Sequence, residues 1–501
     1  MQNGTRLAAV DLGSNSFRLE IGRLDHGQIH RNEYLKETVR QGNGLDEERN
    51  LTPEAMQRGW DCLARFGERL AGFKPGQVRA IATQTLREAR NREAFLAHAQ
   101  NILGFPIDVI SGREEARLIY QGVAHMLPQS DERRLVVDIG GRSTELILGQ
   151  SFDARVMESY RVGSVAWSMR YFEQGQFTPR AFKAAEIAAK AVLDEALNAY
   201  PREAWDVAYG SSGTIGAVSD VLTAAGWDAG SVTQEGLDWL LERLLKAQTA
   251  DRLRMDNLKE DRRAVIGGGI SVLRAVFDLL GIEEMHAAEG ALRHGALYDL
   301  LDREHEQTDL RATSINRLAL KFEVDKAHAQ RVGKVARNLF QQACKPLSPS
   351  DDTEHHKQLG WAAQLHEMGS LISHSDYHKH GAYILDHADT PGFSMSELHR
   401  LSLLVLGHRG KLRKLELDFT DSAAVCQLLA LRLAVILCHA RREPDVKQLT
   451  LQFMQQPAPT FTLTCSPAWA QTYPQSAHLL REEVLAWQRM PCTLVLKGCT
   501  P

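Results

Sequence analysis

The sequence predicts an α/β protein whose front half folds into two similar lobes and whose C-terminus forms a small subdomain with strands. Its 501 residues exceed what one compact core holds, and at about 150 residues per domain they predict three or four domains. A motif in the front half recurs once at a fixed offset. After Pro444 the pattern changes to short alternating strands near 449–453 and 460–465, which indicates a small β-containing subdomain.

The recurring motif relates residues 10–22 (VDLGSNSFRLEIG) to residues 137–149 (VDIGGRSTELILG). The two segments share six of thirteen residues at a constant offset of 127 positions. Each reads as an apolar strand, a Gly/Ser turn and a second strand of alternating polarity, which is typical of a β-hairpin. Each lobe is therefore predicted to open with the same hairpin.

The Gly/Ser turns of the two hairpins suit phosphate binding. Their backbone N–H groups can approach an anion closely, and an Asp at the strand end can hold a hydrated cation. A single copy would be better explained as a tight structural turn, but two copies that keep the Asp and the Gly favour phosphate. The predicted phosphate contacts are Gly13, Ser14, Asn15 and Ser16 in the first turn and Gly140, Gly141, Ser143 and Thr144 in the second.

Composition and charge exclude several classes of protein. With 59 Lys and Arg against 63 Asp and Glu, the net charge is −4, so a globally basic nucleic-acid binder is not expected. No apolar run is long enough for an integral membrane segment, and no secretory leader is evident, which predicts a cytoplasmic protein. A peripheral association with a membrane is left open. Seven scattered cysteines without CxxC spacing fit reduced thiols.

Six motifs resemble the exopolyphosphatase/guanosine pentaphosphate phosphohydrolase (Ppx/GppA) family, and its bacterial exopolyphosphatases most of all. They are AVDLGSNSF (9–17), ATQTLREARN (82–91), ISGREEARLIY (110–120), VVDIGG with STEL (136–146), GSSGT (210–214) and EGALRHGAL (289–297). The resemblance implies two ribonuclease-H-like lobes of the actin and sugar-kinase superfamily around a cleft, followed by a helical domain like that of the HD phosphohydrolases. It also implies a homodimer. The expected domains are 1–125, 126–305, 306–445 and, for a small α+β subdomain, 446–501.

The strand predicted at 78–82 runs into a hydroxyl-rich turn that ends at Arg87. A guanidinium presents a fork of donors that suits phosphate oxygens, although an isolated surface Arg is more often solvated. The resemblance implies that Arg87 contacts the substrate. Further along, Glu114 and Glu115 open a helix, where the helix dipole alone favours acidic residues. The resemblance assigns the second of them, Glu115, as the catalytic base, and Glu114 is read as a helix-start residue.

Carboxylates flank both turns and predict a metal site. Asp138 and Glu145 would normally lie on opposite faces of a strand, but the intervening turn can bring both to one cleft. There Mg²⁺ could bridge them to phosphate oxygens, with K⁺ as a further candidate cofactor. The expected metal ligands are Asp11, Asp138 and Glu145. Relatives commonly have a small residue where this chain has Arg142. Its side chain is equally expected to contact the substrate or to project outward.

Three glycine-containing loops precede predicted helices. Ser212, Gly213 and Thr214 follow a strand and place N–H groups at a helix N-terminus, which favours an anion site. Residues 267–269 are glycines that fit a binding loop or a structural turn equally well, and residues 289–291 begin a helix with Arg293 one turn in. Such loops bind adenosine in the sugar-kinase relatives, so nucleotide binding is left open.

The back half contains ten of the 19 histidines between positions 355 and 439. Residues 365–385 resemble the metal-binding core of the HD phosphohydrolases, but the defining His-Asp pair is His366-Glu367 here. Because Glu is one methylene longer, we expect the fold to be retained and the hydrolytic centre lost. Two basic groups could form a channel for a polyanion: Arg409, Lys411, Arg413 and Lys414, and Arg331, Lys334 and Arg337.

These observations predict a hydrolase in which Glu115 deprotonates a water that attacks a terminal phosphorus. The preferred substrate is inorganic polyphosphate, hydrolysed processively, because the basic back half suits a long polymer. The alternative is guanosine pentaphosphate, whose 5′-phosphate end is chemically the same group. A second alternative is a nucleotide-binding or kinase-like phosphotransferase.

Overall fold

The computed structural model describes residues 1–305, 307–344, 349–455 and 458–498, so Cys499 lies outside the described residues. The chain divides into two compact units, Met1–Asp309 and Leu310–Pro501. The first unit contains both predicted hairpins. The further divisions expected after residues 125 and 445 stay predictions.

The first part of unit one holds a five-stranded sheet. Its strands are β1 (Arg6–Leu12), β2 (Phe17–Asp25), β3 (Gln28–Glu37), β4 (Val78–Ala82) and β5 (Ile107–Val109). Its helices are α1 (Pro53–Leu70), α2 (Gln84–Glu88), α3 (Arg92–Leu103) and α4 (Gly112–Met126). The strand order is β3-β2-β1-β4-β5, with β1, β2 and β3 antiparallel and β1, β4 and β5 parallel.

A six-stranded sheet follows in the same unit. Its strands are β6 (Arg133–Ile139), β7 (Thr144–Gln150), β8 (Asp153–Tyr160), β9 (Val207–Ser211), β10 (Ser231–Thr233) and β11 (Glu284–Ala287). Its helices are α5 (Ser164–Tyr171), α6 (Pro179–Leu193), α7 (Ala196–Ala199), α8 (Ser212–Ala224), α9 (Gln234–Ala247), α10 (Glu260–Arg263), α11 (Ile266–Leu280) and α12 (Leu292–Asp302).

The second sheet repeats the first. Its order is β10-β11-β9-β6-β7-β8, so the run from β8 to β11 has the directions of the run from β3 to β5, and β10 adds an antiparallel edge. Adding the 127-residue offset to the bounds of β1 gives the bounds of β6. The predicted pair of similar α/β lobes is confirmed.

The two lobes exchange a helix at their junction. Helix α4 ends the first lobe and packs against β6, β7 and β8 of the second, whereas α12 ends the second and packs against β1, β2 and β4 of the first. The two helices also pack against each other. Their approach requires glycine, because a Cβ on Gly295 would lie 1.8 Å from the carbonyl oxygen of Leu118, and one on Gly122 would lie 2.2 Å from that of Ala291.

Replacing Gly295 by alanine is expected to lower the free energy of unfolding by about 1–3 kcal/mol, because the added methyl group meets backbone that cannot rotate away. Urea unfolding of the full chain measures this. The matched control is Gly216→Ala in α8, where a Cβ would have no neighbour within 4 Å. That substitution should be neutral or stabilise the helix by up to about 1 kcal/mol. Equal stabilities of the two variants would contradict the close helix contact.

The second unit is helical with one small sheet. Its helices are α13 (Leu310–Lys321), α14 (Lys326–Ala343), α15 (Pro349–Leu365), α16 (Tyr377–His387), α17 (Met395–Gly407), α18 (Ser422–Leu437), α19 (Pro467–Thr472) and α20 (Pro474–Trp487). Its strands are β12 (Thr450–Met454), β13 (Thr460–Thr464) and β14 (Thr493–Lys497), in the order β12-β13-β14. The helical domain and the C-terminal strands are thus confirmed, and one hydrophobic core joins them.

Five of the described cysteines are thiols outside disulfides, namely Cys62, Cys344, Cys426, Cys438 and Cys492. Cys465 is disulfide-bonded, so the expectation that all the thiols are reduced is wrong at this position. The regular Cys spacing that often accompanies disulfides is absent from the sequence, which explains why the pattern did not indicate it. Among the described helices none is both long and apolar enough to cross a bilayer.

Candidate active site

The two predicted phosphate-binding turns lie side by side in unit one. The first connects β1 to β2 and the second connects β6 to β7, where the N–H of Gly140 donates to the carbonyl of Ser143 at 2.9 Å. A Cβ placed on Gly141 of the second turn would lie 3.1 Å from the Cβ of Ser14 in the first. The duplicated turns therefore meet across the junction of the two lobes, as the motif predicts.

The turns open onto a cavity of about 350 Å³. The predicted site residues that line it are Asp11, Gly13, Ser14, Asn15, Ser16, Glu115, Asp138, Gly140, Gly141, Ser143, Ser212, Gly213 and Thr214. Three predicted residues, Arg87, Thr144 and Glu145, are not among its lining residues. Further lining residues that the sequence did not indicate as site residues include Arg18, Tyr34, Lys36, Asn257, Lys259 and Arg262.

The hairpin register explains which carboxylates face one another. Asp11 is paired with Arg18 across β1 and β2, and Asp138 is paired with Glu145 across β6 and β7. Directly opposite residues of antiparallel strands project from the same face of the sheet. Asp138 and Glu145 therefore share a face through strand pairing, and the turn does not have to bring them together as the sequence suggested.

The two copies of the hairpin differ in charge at this pair. Arg18 lies where the second copy has Glu145, and its Nη1 donates to Asp11 Oδ2 at 2.8 Å. The first hairpin thus carries an internal ion pair, whereas the second carries two carboxylates. The Oγ of Ser159 donates to Glu145 Oε1 at 2.7 Å, and among the described residues no cation forms an ion pair with Asp138 or Glu145.

Burial and mutual repulsion raise the pKa values of the cleft carboxyl groups. Burial raises the pKa of Asp138 to about 6, and the negative charge of Asp11 adds to this effect. Burial also raises the pKa of Glu145 well above its usual value, with Glu115 and Asp138 as repelling neighbours. The pKa of Glu115 is raised by burial to about 7, although Arg87 opposes the shift. The cluster can therefore take up a proton or a cation near neutral pH.

Helix α4 presents Glu115 to the cavity from its first turn. Ser111 caps the helix, because its Oγ accepts from the N–H of Glu114 at 3.2 Å. Glu114 points away and forms a two-bond ion pair with Arg117, at 2.7 and 2.8 Å, and Arg117 in turn donates to Asp299 of α12. The structure thus gives the two neighbouring carboxylates different roles: Glu114 joins the helices and Glu115 faces the cleft.

Arg87 contacts Glu115 and does not line the cavity. Its Nη1 donates to Glu115 Oε2 at 3.1 Å and to the carbonyl of Ile110 at 2.7 Å, and its Nη2 donates to Gln84. These contacts do not test whether Arg87 also contacts the substrate, which stays a prediction. The sequence places the Arg87 guanidinium near a phosphate site, but it does not show which acceptors within the protein the guanidinium bonds to. Within the protein, Arg87 holds the Glu115 carboxylate and keeps the pKa of that carboxyl group from rising further.

Thr144 and Arg142 of the second turn also lie away from the cavity, because each bonds to backbone or side chains elsewhere. Thr144 is fully buried and its Oγ1 donates to the carbonyl of Val162 at 2.6 Å, so it supports the turn from behind. Arg142 neither faces the cavity nor projects outward. It crosses to the other lobe, where Nη1 donates to the carbonyl of Gly42 at 3.1 Å and Nη2 donates to Glu88 Oε2 at 3.2 Å.

The glycines at 267–269 lie inside α11 and do not precede it. A Cβ on Gly268 would lie 2.5 Å from the carbonyl oxygen of Ser164, so these residues allow two helices to pack closely. Their role is structural. By contrast, the first residues of α8 do open onto the cavity, and the φ of 95° at Ser212 is unusual for a residue with a side chain.

Cations surround the carboxylates at the cavity wall. Burial and the nearby Arg262 lower the pKa of Lys36, and burial and Arg18 lower the pKa of Arg262. Lys36 is paired with Asp261 at 3.0 Å, but Arg262 has no hydrogen-bond or ion-pair partner among the described residues. The buried Nδ2 of Asn15 and Oγ of Ser16 also lack partners. These unsatisfied donors suit an anion with several phosphate groups.

Most of the chain is similar to known phosphatases. Residues 21–304 match the model of the Ppx/GppA phosphatase family, and residues 310–484 match that of Ppx/GppA phosphatase, domain III. A Guanosine-5′-triphosphate,3′-diphosphate pyrophosphatase of Vibrio cholerae is 39% identical over 460 residues, which is 91% of each chain.

Solved structures are similar to part of the chain. A crystal structure of an exopolyphosphatase-like protein is 26% identical, with a TM-score of 0.54, and covers 60% of this chain and 98% of its own. An exopolyphosphatase from Cytophaga hutchinsonii has the same TM-score and coverage at 24% identity, which supports the fold.

Proposed function

The chain belongs to the Ppx/GppA phosphatase family, a family of phosphoanhydride hydrolases, and we propose that it hydrolyses the terminal 5′-phosphate of guanosine pentaphosphate. The products are guanosine tetraphosphate and inorganic phosphate. The observation that carries the choice of substrate is the 39% identity to the Vibrio cholerae pyrophosphatase across 91% of both chains. The cleft supports it with a cationic wall and a carboxylate of raised pKa.

This choice reverses the order of substrates expected from the sequence. The preference for inorganic polyphosphate depended on the basic groups of the back half, of which Arg409, Lys411, Arg413 and Lys414 are exposed. Exposed basic side chains are common on protein surfaces and discriminate poorly between anions. Polyphosphate stays the second candidate, because the exopolyphosphatase structures share the fold.

In the proposed reaction Glu115 accepts a proton from water as the water oxygen attacks the terminal phosphorus. The bond from that phosphorus to the bridging oxygen breaks, and the negative charge moves to this oxygen, which leaves as part of guanosine tetraphosphate. Arg18, Lys36 and Arg262 would stabilise this charge, while the N–H groups of the two turns hold the phosphates in line. Arg87 acts as a positioning residue for Glu115.

Mg²⁺ is the cofactor that fits the second hairpin. Asp138 and Glu145 are a buried carboxylate pair without an internal cation, and both have raised pKa values. Mg²⁺ needs only one or two protein carboxylates, with waters and substrate phosphates as its other ligands, and it would polarise the phosphate oxygens when bound. Asp11 is a weaker candidate ligand, since Arg18 already neutralises it.

The rate should depend on pH through Glu115. Because this carboxylate must be ionised to accept a proton, kcat/KM for guanosine pentaphosphate is expected to fall as the pH drops below about 7. Replacing Arg87 by glutamine removes the charge that opposes the raised pKa, so the acidic limb of the profile should move to higher pH. Arg90→Gln, at an exposed neighbouring arginine, is the control and should leave the profile in place. An unmoved limb in Arg87→Gln would contradict the base assignment.

The substrate itself is tested by comparing guanosine pentaphosphate, long-chain polyphosphate and ATP on one preparation with Mg²⁺. We expect kcat/KM to be at least about tenfold higher for guanosine pentaphosphate than for polyphosphate, which corresponds to about 1.4 kcal/mol of differential transition-state binding. Faster release of phosphate from polyphosphate would select the second candidate. Transfer of phosphate from ATP to an acceptor would indicate a kinase-like enzyme instead.

A further inference from the structure

A cluster of metal-binding side chains lies in the second unit. His328 is in the first turn of α14, and His366 and Glu367 directly follow α15. One ligand atom from each of the three lies within 4.8 Å of the others. Both histidines are buried, and Glu367 is partly exposed, so an ion could enter from the carboxylate side. No part of the proposed reaction uses these residues.

His366 presents a free nitrogen to the cluster. Its Nδ1 lies 2.7 Å from the carbonyl oxygen of Ala363, so Nδ1 carries the hydrogen and donates it. This leaves a lone pair on Nε2, which is buried and has no hydrogen-bond partner. A buried polar atom without a partner destabilises the fold, and a bound cation would remove that penalty. A backbone acceptor behind the ring is also how metal-binding histidines are commonly oriented.

The neighbouring His408 has the same arrangement. Its Nδ1 lies 2.6 Å from the carbonyl oxygen of Val405, its Nε2 has no partner, and its ring centroid is 5.2 Å from that of His366. Two adjacent imidazoles thus keep unsatisfied lone pairs inside a hydrophobic core. Apolar side chains of similar size would leave no buried polar atom without a partner. The presence of two histidines therefore indicates that at least one of the rings binds a ligand.

The remaining distances fit a cation better than hydrogen bonds. His328 Nε2 and Glu367 Oε1 are 3.9 Å apart, too far for a hydrogen bond. Two ligands at about 2.0–2.1 Å from a tetrahedral zinc ion lie roughly 3.3 Å apart, so a small contraction would bring both into contact with it. The Nδ1 edge of His328 faces Arg331 at 3.3 Å, which leaves Nε2 for the cluster.

Arg441 forms an ion pair with the carboxylate of Glu367. Its Nη2 donates to both oxygens of Glu367, at 2.7 and 2.9 Å, and its Nη1 donates to Asp325 at 3.1 Å. The guanidinium is half-exposed, so it can turn into solvent. Arg441 therefore competes with any cation for Glu367.

We propose that His328, His366 and Glu367 bind one divalent transition-metal ion of the zinc type. Two imidazole nitrogens and one carboxylate oxygen form a donor set that favours Zn²⁺ over Mg²⁺. The site is separate from the phosphate cleft and independent of the proposed function. The sequence led us to expect that the hydrolytic centre is lost because Glu367 replaces the aspartate of the His-Asp pair. The proposal adds that His366 and Glu367 still offer metal-binding atoms.

The test is calorimetric titration of the full chain, stripped with a chelator, with ZnCl₂ and separately with MgCl₂. We expect one tight Zn²⁺ site per chain, apart from any weaker binding at the cleft carboxylates, and a rise in the thermal midpoint on binding. The Zn²⁺ affinity of this site should exceed its Mg²⁺ affinity at least about 100-fold. His366→Gln and Glu367→Gln should each lower the Zn²⁺ affinity by about tenfold or more. His399→Gln, at an exposed histidine outside the cluster, and Asp138→Asn in the cleft should leave it unchanged.

A fifth variant keeps the proposal testable if a buried substitution prevents folding. Arg441→Asn removes the competing guanidinium and suits the φ of 54° at this position. It should raise the Zn²⁺ affinity, which damage to the fold cannot do. Absence of a zinc site, equal affinities in the ligand variants, or an unchanged or lower affinity in Arg441→Asn would each overturn the proposal.

Discussion

Replacing Glu115 by glutamine is expected to lower kcat for guanosine pentaphosphate by about 10²–10⁴-fold. Glutamine keeps the shape of the side chain and can still accept a hydrogen bond from Arg87, but it cannot take a proton from water. The free carboxylate has a pKa of about 7 because of burial, so at neutral pH it is matched to this task. Single-turnover kinetics with saturating substrate measure the chemical step directly, and KM should change little.

The same variant should not lose stability. In the folded chain burial raises the pKa of Glu115 from 4.5 to about 7, so stability falls as the pH rises between these two values. At pH 8 the full cost of ionising the buried group is present, and glutamine removes that cost. The midpoint of urea unfolding at pH 8 should therefore be equal or higher. Glu114→Gln is the matched contrast, since it breaks the buried pair with Arg117 and should lower stability more than turnover. If Glu115→Gln retained activity, another group would have to be the base.

The lobes and turns were predictable because their signals are local. A strand, a Gly/Ser turn and an alternating strand occupy thirteen consecutive residues, and the second copy of this pattern identifies the repeat. Asp11 and Asp138 then follow at equal positions in each copy. The divergence of Arg18 from Glu145 was also visible in the aligned segments, although its consequence for the charge of each hairpin needs the strand register.

The sequence did not show the contacts of residues whose role depends on long-range packing. Lys36 and Arg262 come from an edge strand and a short helix 226 positions apart, and no motif surrounds either of them. Arg87 and Arg142 lie in recognisable motifs, but hydrogen bonds to Glu115 and Glu88 decide what they do. Similarly, His328 precedes His366 by 38 residues, and only the packing of α14 against α15 brings the two together.

Replacing Arg262 by methionine is expected to raise KM for guanosine pentaphosphate about 10- to 100-fold, with a smaller effect on kcat. The guanidinium lines the cavity without a partner, so a phosphate would supply its missing acceptor, and a charge-assisted hydrogen bond contributes about 1.5–3 kcal/mol. Steady-state kinetics at fixed ionic strength measure the change. Arg252→Met, at an exposed arginine of the same lobe, is the control and should leave KM unaltered.

The Arg262→Met variant should be more stable than the unchanged protein, although it binds substrate less tightly. Without a ligand, Arg262 is a buried cation repelled by Arg18, so methionine should raise the free energy of unfolding of the empty protein. Gly213→Ala provides an independent route to the same group, because a Cβ there would lie 2.0 Å from Arg262 Nη2 and must displace the guanidinium. That variant should reproduce the rise in KM while the charge is still present. A loss of stability in Arg262→Met with unchanged KM would mean that the arginine supports the fold and does not bind phosphate.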